Sequence, residues 1–189
     1  MGDAMLSAID LSYYLIEQFV RSKGRSISNL KLQKLLFYAQ AHYLGLYGEP
    51  LFKENIEAWK HGPVINIVYH EFKRYGNKLI PFTKESNQAL FTDEQLAFID
   101  FICDEYGKYS AITLYKMVHN DKSYKRLYKP GVKRIVIPKK ELKKNFYNTV
   151  VIDEKQFEKR ILSDIKKLDK TKAKTFTYTE ALRHFGLAN

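Results

Sequence analysis

The chain has 189 residues, 45% of them hydrophobic, which suffices for one compact domain with a sizeable core and falls short of two independent ones. The opening residues lack the cationic start, apolar run and small-residue cleavage site of a secretory signal. Every apolar stretch is also broken by Gln, Lys or Glu, so a cytoplasmic protein with no membrane span is expected. The net charge of +11 is unevenly placed: residues 1–121 hold 13 basic against 14 acidic side chains, whereas residues 122–174 hold 18 against 6. That asymmetry suits an acidic partner surface or nucleic acid, and equally a solvated lysine-rich face.

Leu11, Tyr14, Leu15, Gln18 and Phe19 fall near one face of a helix predicted over residues 10–21. Ser28 then offers an N-cap, and Leu32, Leu35, Leu36, Ala39, Tyr43 and Leu46 repeat at three and four before Gly48 closes the run. Ile56-Glu57-Ala58-Trp59 alternates as a short strand would, and Gly62-Pro63 ends it. A helix with Ile67, Val68, Glu71 and Phe72 along one side is expected over residues 64–75, stopped by Gly76. Residues 77–90 read as a loop holding one short strand around Leu79 to Phe82.

Thr92-Asp93-Glu94-Gln95 has capping-box spacing ahead of Ile99, Ile102, Cys103 and Tyr106, and Ser110 is an N-cap for Leu114, Met117 and Val118. Residues 123–138 look irregular, and Pro138 suits the start of a short helix over 139–146. Further on, Asp153 to Gln156 begins a helix with a Phe157, Ile161, Ile165 and Leu168 seam, and Thr179 caps a last short one. The expected architecture is mainly α: a single compact helical domain of roughly six to eight helices with a small β element over residues 7–148, plus a basic helical C-terminal extension over 149–189.

Chemistry-bearing patterns are sparse. The five histidines include no His-Glu-x-x-His pair, and Cys103 is the only cysteine, so no intrachain disulfide forms and no cysteine-rich zinc site exists. The plainest reading of Cys103 is a core thiol. No nucleophile, oxyanion or phosphate-cradling arrangement is recognisable; no catalytic residue, metal ligand or cofactor is assigned.

Two surfaces remain as candidates for gripping another protein. Trp59, Lys60, His61 and Tyr69 beside a rigid Gly62-Pro63 turn supply anchors, the competing reading being that Trp59 is core. Gln33, Lys34, Phe37, Tyr38 and Gln40 lie on the flank of the second helix away from its apolar seam, the competing reading being that Tyr38 packs inside. A basic run that includes Lys139, Lys140, Lys143 and Lys144, interleaved upstream with Tyr124 and Tyr128, suits phosphates and bases or an acidic protein.

Leu30-Lys31-Leu32-Gln33-Lys34-Leu35-Leu36-Phe37-Tyr38-Ala39-Gln40 resembles the opening signature of Panacea, or SocA-like, domains, often labelled phage-associated proteins. Tyr47-Gly48-Glu49-Pro50-Leu51-Phe52 resembles the family's loop, and Ile56-Glu57-Ala58-Trp59-Lys60-His61-Gly62-Pro63-Val64 its most distinctive block. Tyr69-His70-Glu71-Phe72, Tyr75-Gly76, Tyr106-Gly107, Ser110-Ala111 and His119 follow in order, so the resemblance covers approximately residues 9–147. The chain departs from the family's pattern at Val118, where Thr is common, and at Tyr124, near where Trp is common. The resemblance implies a mostly helical antitoxin that binds a cognate toxin protein, encoded by an adjacent gene. One subtype is implied to act as a proteolytic adaptor to an AAA+ protease such as ClpXP. Operator binding through the basic region is the alternative.

Overall fold

A computed structural model describes residues 5–132 and 134–146. The helices expected beyond residue 150, and the basic extension, lie outside the described residues, as does Lys133.

Helix α1 (Ala8–Lys23) is capped by Ser7, whose hydroxyl accepts from the Asp10 amide, and stops at Gly24. Helix α2 (Asn29–Tyr47) runs from the Ser28 cap to Gly48, which takes the left-handed conformation open to glycine. After a loop, β1 (Ile56–Trp59) and β2 (Gly62–Val64) form a hairpin. Helix α3 (Asn66–Phe72) tightens into a 3-10 turn over Lys73–Tyr75. Helix α4 (Asp93–Gly107) carries the full reciprocal capping box between Thr92 and Gln95, and α5 (Ala111–Asn120) is capped by Ser110. Then follow α6 (Lys122–Leu127), β3 (Ile135–Ile137) and α7 (Lys139–Phe146). The protein is mainly α, with seven helices and one three-stranded antiparallel sheet among the described residues.

Helix α2 is the axis of the fold. It packs against α1, α3, α4, α5, α7 and β2, so nearly its whole circumference is enclosed. In the sheet, β1 lies between β2 and β3, with Trp59 opposite Gly62 and Glu57 opposite both Val64 and Val136. None of the helices among the described residues is long and apolar enough to cross a membrane.

Four local expectations are corrected. The segment around Leu79 makes only a single bridge to Ser28, and the Ile80 amide donates to the Ile27 carbonyl at 2.9 Å; burial of Ile80 anchors it without a strand. Ile67 is 51% exposed, because α3 buries only Val68 and Phe72. Residues 123–138 are not irregular throughout: the Asp121 carboxylate accepts from the Ser123 and Tyr124 amides at 2.8 and 3.2 Å and starts α6. Strand β3 is three residues long, too short for alternation to be legible, and forms because β1 offers it an edge.

Candidate functional site

The β1–β2 hairpin turns through Lys60 and His61, with Gly62 at φ 98° closing it. A side chain at Gly62 would be strained at that angle. Its Cβ would also stand 2.6 Å from Lys34 Nζ and 3.0 Å from Val118 Cγ2. Two main-chain carbonyls around the turn are held from below, and a third lies opposite His119. The Tyr124 hydroxyl donates to Trp59 at 2.6 Å, Lys34 Nζ donates to Pro63 at 2.9 Å, and His119 Nε2 faces the carbonyl of Lys60 at 3.2 Å. Blocks separated by dozens of residues thus converge on one turn.

Above this support the hairpin meets solvent. Lys60 and His61 are exposed and Trp59 and Tyr69 half-buried, with the Trp59 and Tyr69 ring centroids 5.0 Å apart. The indole N–H of Trp59 donates to Glu57 at 2.8 Å, so its polar edge is satisfied while part of its ring stays open. Gly62 and Pro63 are buried and serve the turn, not a contact face. Trp59 and Lys60 line two neighbouring clefts. One, of about 400 Å³, reaches toward Gln33, Lys34 and Tyr69; the other, of about 480 Å³, reaches toward His70, Tyr128 and Arg134.

The second candidate surface is corrected. Gln33, Lys34, Phe37, Tyr38 and Gln40 are all buried, Lys34 and Phe37 completely. Gln33 Oε1 accepts from the Ile65 amide at 2.7 Å, and Gln40 Oε1 accepts from the Leu51 and Phe52 amides at 2.8 and 3.2 Å while its Nε2 donates to the Phe52 carbonyl. Both glutamines therefore satisfy buried loop backbone that water cannot reach. Phe37 packs edge-on to Tyr38 and Phe146, and Tyr38 stacks on Tyr106 with centroids 4.0 Å apart. The flank expected to face outward is covered by α5, α7 and β2.

Burial without a counter-charge brings the Lys34 ammonium down to about 7. Burial likewise lowers His42 to about 4; its Nε2 meets the Tyr106 hydroxyl at 2.5 Å. The Cys103 thiol is buried and pushed up by that burial, the environment of a core side chain.

The four lysines singled out on α7 are not equivalent. Lys139 Nζ donates to the Lys53 carbonyl at 3.2 Å and Lys143 Nζ to the Gly48 carbonyl at 3.4 Å, while Leu142 and Phe146 anchor the helix on α2. Lys140 and Lys144 point to solvent. Sequence reasoning missed the bracing roles of Lys34 and Tyr124, the approach of His119 to the turn, and the Tyr128 and Arg134 side of the larger cleft. The Asp121 cap was the available signal for the helix that carries Tyr124.

A central helix, a braced hairpin and a flanking helical shell define a small, mainly helical scaffold. Residues 32–125 match the family model described as "Antitoxin SocA-like, Panacea domain". Over 54 residues the chain is 50% identical to the protein named Antitoxin SocA from Caulobacter vibrioides (strain NA1000 / CB15N), the match spanning 29% of each chain. No solved structure matches it. Through residues 32–125 the chain belongs to the SocA-like Panacea family. Helices α1 and α7, inside the approximate range 9–147 of the motif resemblance, lie outside the matched residues.

Proposed function

We propose that this protein is an antitoxin that neutralises a cognate protein toxin by direct binding, with the hairpin face of Trp59, Lys60, His61 and Tyr69 as its contact. The single observation that carries this reading is a solvent-facing turn whose backbone is held by the buried side chains of Tyr124 and Lys34 before any partner arrives. A loop already ordered loses little entropy on binding, and a half-open Trp beside a Tyr is the composition of an interface anchor. Membership of an antitoxin family supplies the partner class. The reading requires no cofactor and no catalytic step, and it places the protein in the cytoplasm with its toxin.

The test is co-expression with the adjacent gene, scoring growth and co-purification. The wild-type chain should rescue growth and hold the neighbour's product in a complex. A Trp59→Ala/His61→Glu variant with an unchanged melting curve should do neither. A neighbour that is harmless alone, or toxic despite the folded wild-type chain, overturns the proposal. Following toxin half-life in the presence of an AAA+ protease such as ClpXP separates plain inhibition from the adaptor version, which requires faster turnover. Operator binding through Lys140 and Lys144, with Lys139 and Lys143 beside them, is read by its salt dependence. Phosphate contacts weaken steeply with added salt, whereas an apolar-centred protein interface does not.

A further inference from the structure

We infer that the larger cleft, between the hairpin and the wall formed by Tyr128, Gly131, Val132 and Arg134, receives an extended acidic segment of the partner protein. The inference takes the identity of that partner from the antitoxin reading; the chemistry of the cleft stands apart from it.

The cleft encloses about 480 Å³, the size of a site for a few side chains. Trp59, Tyr128 and Val132 give it apolar walls, and Lys60, His70 and Arg134 surround them with nitrogen donors; among the described residues that line it, none carries a carboxylate. An occupant bearing carboxylates between apolar side chains complements both features.

Both walls are built in advance by one buried residue. The Tyr124 hydroxyl holds the Trp59 carbonyl at 2.6 Å, while its ring stacks on Tyr128 with centroids 5.3 Å apart and planes 11° from parallel. Arg134, at φ 59°, is the only non-glycine residue in the left-handed region among the described residues. An arginine in that conformation carries a backbone cost that its neighbours must offset, and it sits at the cleft. Val132 is 51% exposed, so an apolar side chain at the wall is left open to a partner.

Polypeptide is favoured over nucleic acid by the strand that follows. Strand β3 pairs with β1 on one edge and with no other strand among the described residues. Backbone N–H and C=O groups of an extended peptide can answer such an edge, whereas a phosphodiester offers no donor in return. The cationic side chains here are also too few for the continuous track that single-stranded nucleic acid requires.

Trp59 is the only tryptophan in the chain, so its fluorescence reports on this wall directly. The full-length protein is titrated with a short capped peptide of alternating glutamate and valine, its lysine–valine counterpart, and a short oligothymidylate. The glutamate peptide should shift the emission saturably, the lysine peptide should not, and the oligothymidylate should bind more weakly than the glutamate peptide. Arg134→Glu should weaken the glutamate peptide by about tenfold or more through like-charge repulsion. Val132→Asp should weaken it as well, while Lys84→Glu on the segment beside α1 should leave it unchanged.

No saturable shift, equal response to the lysine peptide, tighter binding of the oligothymidylate, or a shift untouched by Arg134→Glu and Val132→Asp in folded protein would each overturn the inference. The last result would place the signal in the neighbouring cleft, which Trp59 also lines. Failure of toxin rescue by the wild-type chain, with peptide binding intact, overturns the antitoxin reading and leaves the cleft assignment standing.

Discussion

The flank of α2 and the β1–β2 hairpin are built from the same kinds of side chain, an aromatic or two with lysine and polar neighbours, yet one is sealed inside the fold and the other faces water. Gln33, Lys34, Phe37 and Tyr38 are buried, whereas Lys60 and His61 are exposed and Trp59 half-covered. The difference lies in what surrounds each element. Helix α2 is enclosed by elements that arrive from distant parts of the chain, and its glutamines spend their hydrogen bonds on loop backbone. The hairpin is supported from one side only. Side-chain type alone therefore does not separate an exposed surface from a polar core; the location of unpaired backbone donors and acceptors does.

The sharpest way to break this comparison is to truncate an aromatic in each region. Phe37→Ala should cost about 3–5 kcal/mol of unfolding free energy by leaving a cavity between Tyr38 and Phe146. Trp59→Ala should cost only about 1 kcal/mol, its loss appearing in partner binding instead. Chemical denaturation of the two variants measures both, and equal destabilisation would erase the distinction.

The next effect is a dependence on pH. Folding lowers Lys34 from 10.5 to about 7, so between those values the unfolded chain holds the extra proton. Stability therefore rises with pH across that interval, by at most about 1.4 kcal/mol per pH unit, and the cost of burying the amine is present in full below 7. His42, lowered from 6.5 to about 4, acts in the same direction between those values, its contribution falling as the solution is acidified below 6.5. Lys34→Met should flatten the alkaline slope, and urea midpoints recorded from pH 6 to pH 10 would reveal it. A slope unchanged by the substitution would mean that another group is responsible.

The smallest expected effect sharpens the contrast at the support itself. Tyr124→Phe keeps the ring against Tyr128 but removes the hydroxyl that donates to the Trp59 carbonyl, and should cost about 1 kcal/mol. Hydrogen exchange at the hairpin amides should accelerate while exchange along α2 stays as it was. Acceleration everywhere would mean that Tyr124 supports the whole fold and not the turn.

These outcomes bear on what could be read from residues alone. The ends of α2, α4, α5 and α7 were legible because Ser28, Gly48, the Thr92–Gln95 box, Ser110 and Pro138 act within one turn of themselves. Strand β1 was legible from its alternation. The enclosure of α2 was not, because Leu32, Leu35, Leu36 and Ala39 already complete an amphipathic pattern, and nothing local says that Gln33 will meet the amide of Ile65. Seam members Tyr43 and Leu46 are in fact less buried than Lys34. Helix α6 and β3 escaped notice because six and three residues are too few for a period. Of the site, the block from Trp59 to Pro63 with Tyr69 was visible as a motif; its supports Lys34 and Tyr124 act across 29 and 65 positions in the chain.

The turn is gripped by its carbonyl oxygens, a group that every amino acid possesses. Lys60 and His61 can accordingly be exchanged for other residues without loosening the frame beneath them, much as a grafted loop keeps its shape when its letters change. A frame of that sort keeps the backbone of the turn in place whichever side chains its tip carries.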